Sequence, residues 1–195
     1  MMDSAVPFLI HGEHRRSGEI LEVRNPYNGE LVGRVFRPSP GEVEEAISST
    51  VSAAGVTRDL ATYERAGALK KAAAVLAENL ESVSRTLCLE AGKPIRHARA
   101  EAGRAVMTLT VAAEEAMRGG ETVPLDISSG SRGRLGIVRR FPLGPVAGIT
   151  PFNFPLNLVC HKVAPALAAG NAIVVKPASA TPLSALRLGD ILLES

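Results

Sequence analysis

Apolar and polar positions alternate in three rhythms along this 195-residue chain. From residue 7 to 36, short apolar groups are broken by turn residues. Phe8-Leu9-Ile10 runs into His11-Gly12, Ile20 to Val23 into Asn25-Pro26-Tyr27-Asn28-Gly29, and Leu31 to Phe36 follows. This pattern predicts a small β-meander with Asn28-Gly29 as its best turn. After Pro38-Ser39-Pro40 the period lengthens to three and four. A first helix is expected from about Gly41, with Glu42, Glu44 and Glu45 at the end where the helix dipole favours acids. A second follows Thr62, with Ala66, Leu69, Ala73, Leu76 and Leu80 on one face. A third runs from Glu81 to Ala91 and stops at Gly92. Pro94 then suits a first helical position, and Ile95, Ala98, Ala102, Ala105, Leu109, Ala112 and Ala116 carry the stripe to Gly119-Gly120.

The third rhythm begins at Glu121. Glu121 to Phe141 reads as an extended hairpin or arm, with an apolar edge that finds no obvious partner in this sequence. Val146 to Ile149 is short and uninterrupted, as for a strand buried on both faces. Pro155 fits the first turn of a helix that reaches about Ala169 and closes at Gly170-Asn171. Ala172 to Val175 is a second buried strand, and Thr181-Pro182 opens a helix to Glu194. The order is βαβα, hence an α/β protein with a helical scaffold ahead of a parallel unit.

Composition narrows the picture. Hydrophobic residues at 46% and charged residues at 22% describe a globular protein rather than a disordered one. No apolar run approaches the roughly 20 residues that span a bilayer, so no membrane is expected as a partner. The opening MMDSAVPFLIHGEHRR lacks the order of a signal peptide. Net charge is +2, and the basic excess sits in Arg132, Arg134, Arg139 and Arg140. With aromatics at 4% there is little to stack on bases, so no nucleic-acid partner is expected. Cys88 and Cys160 have no metal-ligand spacing, which points to a reducing cytoplasm and to no metal site.

Two residues of the βαβ unit suit chemistry. A right-handed crossover places the carboxyl ends of both strands on one rim, where open α/β sheets bind ligands. Asn153 lies just past the first strand and Lys176 ends the second. An asparagine amide can stabilise charge developing on a carbonyl oxygen, and a strand-end lysine can hold ribose hydroxyls or phosphate. Pro177 restricts Lys176 to extended backbone. The structural alternatives are ordinary: Asn153 as a turn or capping residue, Lys176 as a solvated strand end. Neither GxGxxG nor GxxxxGK[ST] is present. His161 reads as a packed or solvated histidine, and Cys160 and Cys88 as structural thiols without an activating partner.

The segment GPVAGITPFNFPLNLVCHKVAPALAAGNAIVVKPASATPLSAL resembles the cofactor domain of the aldehyde dehydrogenase superfamily. EVRNPYNGELVGRV, YERAGALKKAA and EAGKPIRHARAEAGRA match its upstream pattern, so the resemblance covers nearly the whole chain. PLD, GIVRRFPLG and TPFNFPLNL look nearest to the lactaldehyde dehydrogenase-like and NADP-dependent glyceraldehyde-3-phosphate dehydrogenase-like branches. The resemblance implies residues 1–120 as strands and helical scaffold, 121–141 as an oligomerisation-type arm, and 142–195 as the incomplete first part of a Rossmann-like NAD(P)-binding domain. It implies aldehyde oxidation to an acid with NAD or NADP, through a cysteine thiolate, in a homo-oligomer. Asn153 then takes the oxyanion-hole position, Ile149, Thr150, Pro151 and Phe152 line the cofactor, and Lys176 contacts the adenosine ribose. Ser179 stands where NAD-preferring members often carry a glutamate that repels a 2′-phosphate, so NADP or dual use is expected. The nucleophilic cysteine, the general-base glutamate and the pyrophosphate loop belong beyond Ser195. The chain is therefore read as an N-terminal fragment, inactive alone. The competing reading is a short non-enzymatic dinucleotide binder or assembly partner derived from that family.

Overall fold

Helix α4 (Ile95–Met117) is the spine of the molecule, and its composition explains why. Its inward face carries Ala98, Ala102, Ala105, Leu109, Ala112, Ala113 and Ala116, all buried. Small side chains let neighbouring axes approach toward the near end of the roughly 8–10 Å range. Helix α2 (Thr62–Glu78) uses that closeness with Ala66, Leu69, Ala72, Ala73 and Leu76, and the α2–α4 contact is the most extensive between helices. Helix α3 (Leu80–Ala91) packs beside α4 through Val83 and Leu87 and ends at Gly92, whose φ of 60° is left-handed. The computed structural model describes residues 5–195; the first four, part of the stretch in which no signal peptide is expected, lie outside the described residues.

Helix α1 (Pro40–Asp59) opens with a capping box. Ser39 Oγ accepts from the Glu42 N–H, and the Glu42 carboxylate accepts from the Ser39 N–H at 2.8 Å. Two parallel strands, β7 (Pro145–Ile149) and β8 (Ala172–Lys176), are joined by helix α5 (Asn157–Ala168), and α6 (Leu183–Leu193) follows. Helix α5 connects this unit to the scaffold: Leu156, Val159, Cys160, Val163 and Ala164 enter the core formed by α2 and α4.

The α/β order and the helical stripes match expectation, and four details differ. The N-terminal strands form two separate antiparallel hairpins rather than one meander: β1 (Phe8–Ile10) with β2 (Glu13–Arg15), and β3 (Glu19–Arg24) with β4 (Leu31–Arg37). The β3–β4 turn spans Asn25 to Glu30, because Pro26 has no N–H and the Asn25 side chain accepts from the Tyr27 N–H at 2.9 Å. Helix α5 starts at Asn157, two residues after Pro155. Strand β7 is not buried on both faces: Val146 and Gly148 turn toward α5, while Ala147 and Ile149 are exposed. The arm is present as β5 (Glu121–Pro124) paired with β6 (Leu135–Val138).

Candidate functional site

The parallel pairing fixes the rim. Ile149 is in register with Lys176, and the next amide, Thr150 N–H, donates to the Lys176 carbonyl at 3.2 Å. Ile149, Pro151, Phe152, Asn153, Lys176 and Ser179 are all exposed there. Thr150 is buried, and its hydroxyl has no partner among the described residues. Phe152 and Asn153 line a cleft of about 450 Å3 with Lys93, Ala180 and Thr181, the last two directly after Ser179. Lys176 stands at the strand end. The structure thus joins Ile149, Thr150 and Lys176 through the ladder, and brings Asn153 to the loop that carries Ser179. An exposed isoleucine and phenylalanine beside a strand-end lysine fit a nucleotide, which needs an apolar face and a donor for its ribose.

What holds Asn153 comes from α4 and the turn before it. Glu101, completely buried, accepts on one oxygen from the amides of Leu156 and Asn157 at 3.0 and 3.2 Å. Its other oxygen receives Lys93 Nζ at 2.6 Å, and the same ammonium donates to the Asn153 carbonyl at 3.0 Å. One turn further along α4, the Arg104 guanidinium lies 4.7 Å from the centre of the Phe154 ring, with Lys93 Nζ 5.0 Å from that centre. A turn beyond, Thr108 Oγ1 donates to Asn157 Oδ1 at 3.1 Å. Residues 101, 104 and 108 share one helix face. The start of α5 would otherwise be a ready anion site; Glu101 already fills it. A phosphate has no place there, in keeping with the missing glycine fingerprint.

Helix α6 is treated the same way. Glu90, on α3 and buried, accepts from the amides of Leu183 and Ser184 at 2.8 and 3.1 Å and from the Ser184 hydroxyl. Burial pushes its carboxyl above the ordinary range; the Ser184 and Leu183 bonds pull the other way, and nearby Glu101 adds to the rise. Sequence reading missed Glu90, Lys93, Glu101 and Arg104. The signal was present for the two acids: Val83-Leu87-Glu90 and Ala98-Glu101-Ala105 place each on an apolar stripe, where an unpaired carboxylate does not belong.

The two cysteines behave as structural thiols. Cys160 is fully buried on α5, and burial pushes its thiol up to about 12. Cys88, half-buried, packs against the core. His161 is exposed on α5.

A parallel βαβ unit with Asn153 and Lys176 at the carboxyl ends of its strands defines an open α/β fold of the kind that binds ligands along that rim. The sequence model of the aldehyde dehydrogenase family matches residues 13–195. The chain belongs to the aldehyde dehydrogenase family. It is 42% identical over 187 residues to 3-sulfolactaldehyde dehydrogenase of Priestia megaterium, covering 95% of this chain and 39% of that protein. Aldehyde dehydrogenase 21 of Physcomitrella patens, solved with the reaction product succinate, superposes with a TM-score of 0.90 at 43% identity over 97% of this chain and 40% of that one. NADP-dependent glyceraldehyde-3-phosphate dehydrogenase of Bacillus halodurans, solved with NADP, gives 0.89 at 33% identity, over 98% and 41%. The chain thus spans about 39% of the length of its curated relative.

Proposed function

We propose that this chain is the N-terminal portion of an NAD(P)-dependent aldehyde dehydrogenase that converts an aldehyde to an acid. The observation that carries the reading is Asn153, pinned by its backbone at a cleft on the carboxyl rim of a parallel strand pair. In this reading the side-chain amide of Asn153 donates to the oxygen of the aldehyde as negative charge grows on it. Ile149, Thr150, Pro151 and Phe152 line the dinucleotide, and Lys176 donates to its adenosine ribose. The dinucleotide, when bound, supplies the hydride acceptor. The nucleophilic thiolate and the general base belong to sequence past Ser195, since burial excludes Cys160 and Cys88 packs in the scaffold.

The cofactor domain is taken to comprise the scaffold of residues 1–120 and the βαβα unit of 142–195. The arm of 121–141 serves a homo-oligomer in a reducing cytoplasm, where both free thiols are stable. Ser179 leaves room for a 2′-phosphate, and the Bacillus relative holds NADP. The named relatives act on or release anionic molecules: a sulfonate, a phosphate, and a dicarboxylate as product. Arg104, exposed beside Phe154, supplies a cation for an anionic aldehyde.

The test is aldehyde-dependent reduction of NADP+ and NAD+. The purified 195-residue chain is expected to give no turnover, because covalent catalysis needs an activated nucleophile. Robust turnover in that chain, abolished by Asn153→Ala, would overturn the reading. An authentic stop codon directly after Ser195 would instead favour a non-enzymatic binder or assembly partner. In the full-length protein, Ser179→Glu is expected to weaken NADP binding at least about tenfold, roughly 1.4 kcal/mol. A strong NAD preference in the unsubstituted protein would contradict the assignment of Ser179.

A further inference from the structure

We propose that Lys93 and Glu101 are positioning residues for the amide of Asn153, an inference that rests on the oxyanion role assigned to it above. The ion pair pins the chain on both sides of Phe154-Pro155. Lys93 Nζ takes the carbonyl of Asn153 at 3.0 Å, and Glu101 takes the amides of Leu156 and Asn157 at 3.0 and 3.2 Å. Between these anchors the Phe154 ring lies under the cations of Lys93 and Arg104. The turn is therefore held at its start, its middle and its end.

The clamp grips Asn153 only by its backbone carbonyl and leaves both atoms of its amide group for the cleft. Lys93 itself is held from behind. Gly92 closes α3 in a left-handed conformation, with Pro26 packed against it, and Pro94 restricts Lys93 to extended backbone. Its side chain is 15% exposed and that of Glu101 not at all, so water screens the pair little. The arrangement transmits the position of rigid α4 to a loop residue, as an oxyanion donor requires; displacements near 1 Å are costly in rate.

Removing Lys93 alone would strand a buried carboxylate and endanger folding, so the test uses Lys93→Met with Glu101→Gln, which removes both charges at once. In the full-length protein this pair is expected to lower kcat about 10- to 100-fold while KM for the dinucleotide stays within about twofold. Lys93→Arg is expected to restore most of the rate. Added to Asn153→Ala, the pair should cause no further loss, because it acts only through that residue. An independent, multiplicative loss overturns the positioning role and leaves the oxyanion reading intact. An Asn153→Ala variant with unchanged kcat overturns the oxyanion reading, and this inference with it. Hydrogen exchange in the 195-residue chain gives a readout independent of turnover. With Lys93→Met and Glu101→Leu, which removes the acceptor as well as both charges, the amides of Leu156 and Asn157 should exchange at least about tenfold faster, while that of Leu109 keeps its rate. Equal exchange in both proteins overturns the clamp.

Discussion

Glu90 and Glu101 sit among alanines and leucines, where a bare carboxylate would cost several kcal/mol. Each is accommodated by the unpaired amides at the start of a helix, α6 for Glu90 and α5 for Glu101. Glu101 also has the Lys93 ammonium, whereas Glu90 is met by amides and a hydroxyl. That difference leads to a prediction about pH. The Glu90 carboxyl is raised above 4.5 in the folded chain by burial. Between the ordinary carboxylate range and that raised value, the unfolded chain has lost this proton and the folded chain keeps it. Its contribution to stability is therefore largest below the ordinary range and is lost as pH rises through the raised one. Urea midpoints measured from acidic to neutral pH should fall along this branch, and Glu90→Gln should flatten it; an unchanged slope would remove Glu90 from the explanation. Cys160 gives a second check. Ellman's reagent should label Cys88 in the native chain and reach Cys160 only in denaturant, because a thiol held near 12 and fully buried offers no thiolate. Rapid native labelling of both would contradict this.

At the level of elements, α4 organises the fold, and its contacts set the scale of what substitutions cost. Leu109 is fully buried where α2 and α5 meet α4. Leu109→Ala should cost about 2–5 kcal/mol, read from chemical unfolding. Gly92→Ala should also destabilise, by about 1–2 kcal/mol for the left-handed backbone alone. A Cβ there would sit 2.6 Å from Pro26 Cγ, which adds to that figure. The apolar stripes of α2 and α4, the extent of α3 with its Gly92 stop and the βαβα order were all legible, because each follows from a pattern within one segment. The placement of Asn153 past one strand and Lys176 at the end of the next was legible for the same reason. The clamp was not. Lys93 and Glu101 lie 60 and 52 residues before Asn153 in the numbering, and only the packing of α4 on α5 brings them to it. The separate hairpins escaped too, since local alternation predicts strands without saying which strands pair.

For the whole molecule the decisive fact is what remains uncovered. Strand β7 pairs only with β8 among the described residues, and Ile149 on its outer face is 72% exposed. The uninterrupted apolar run Val146 to Ile149 predicts cover on both faces; here α5 and α1 both reach the strand pair, yet Ala147 and Ile149 stay exposed. The arm poses the same problem away from the core. In the two-stranded β5–β6 hairpin, the Cβ position of Gly136 faces Val123 and Leu125, so Leu135 and Ile137 point to the opposite side, 65% and 75% exposed. Its edges leave backbone donors and acceptors open. Patches of this kind bind other surfaces or aggregate. The 195-residue chain should therefore self-associate with rising concentration in sedimentation velocity and bind an apolar fluorescent dye. Replacing Leu135 and Ile137 together by lysine should shift it toward monomer, because it charges the arm face without touching the core. Ile149→Lys tests the other patch: dye binding should fall while association through the arm persists. A chain that stays monomeric before any substitution would show that neither face seeks a partner.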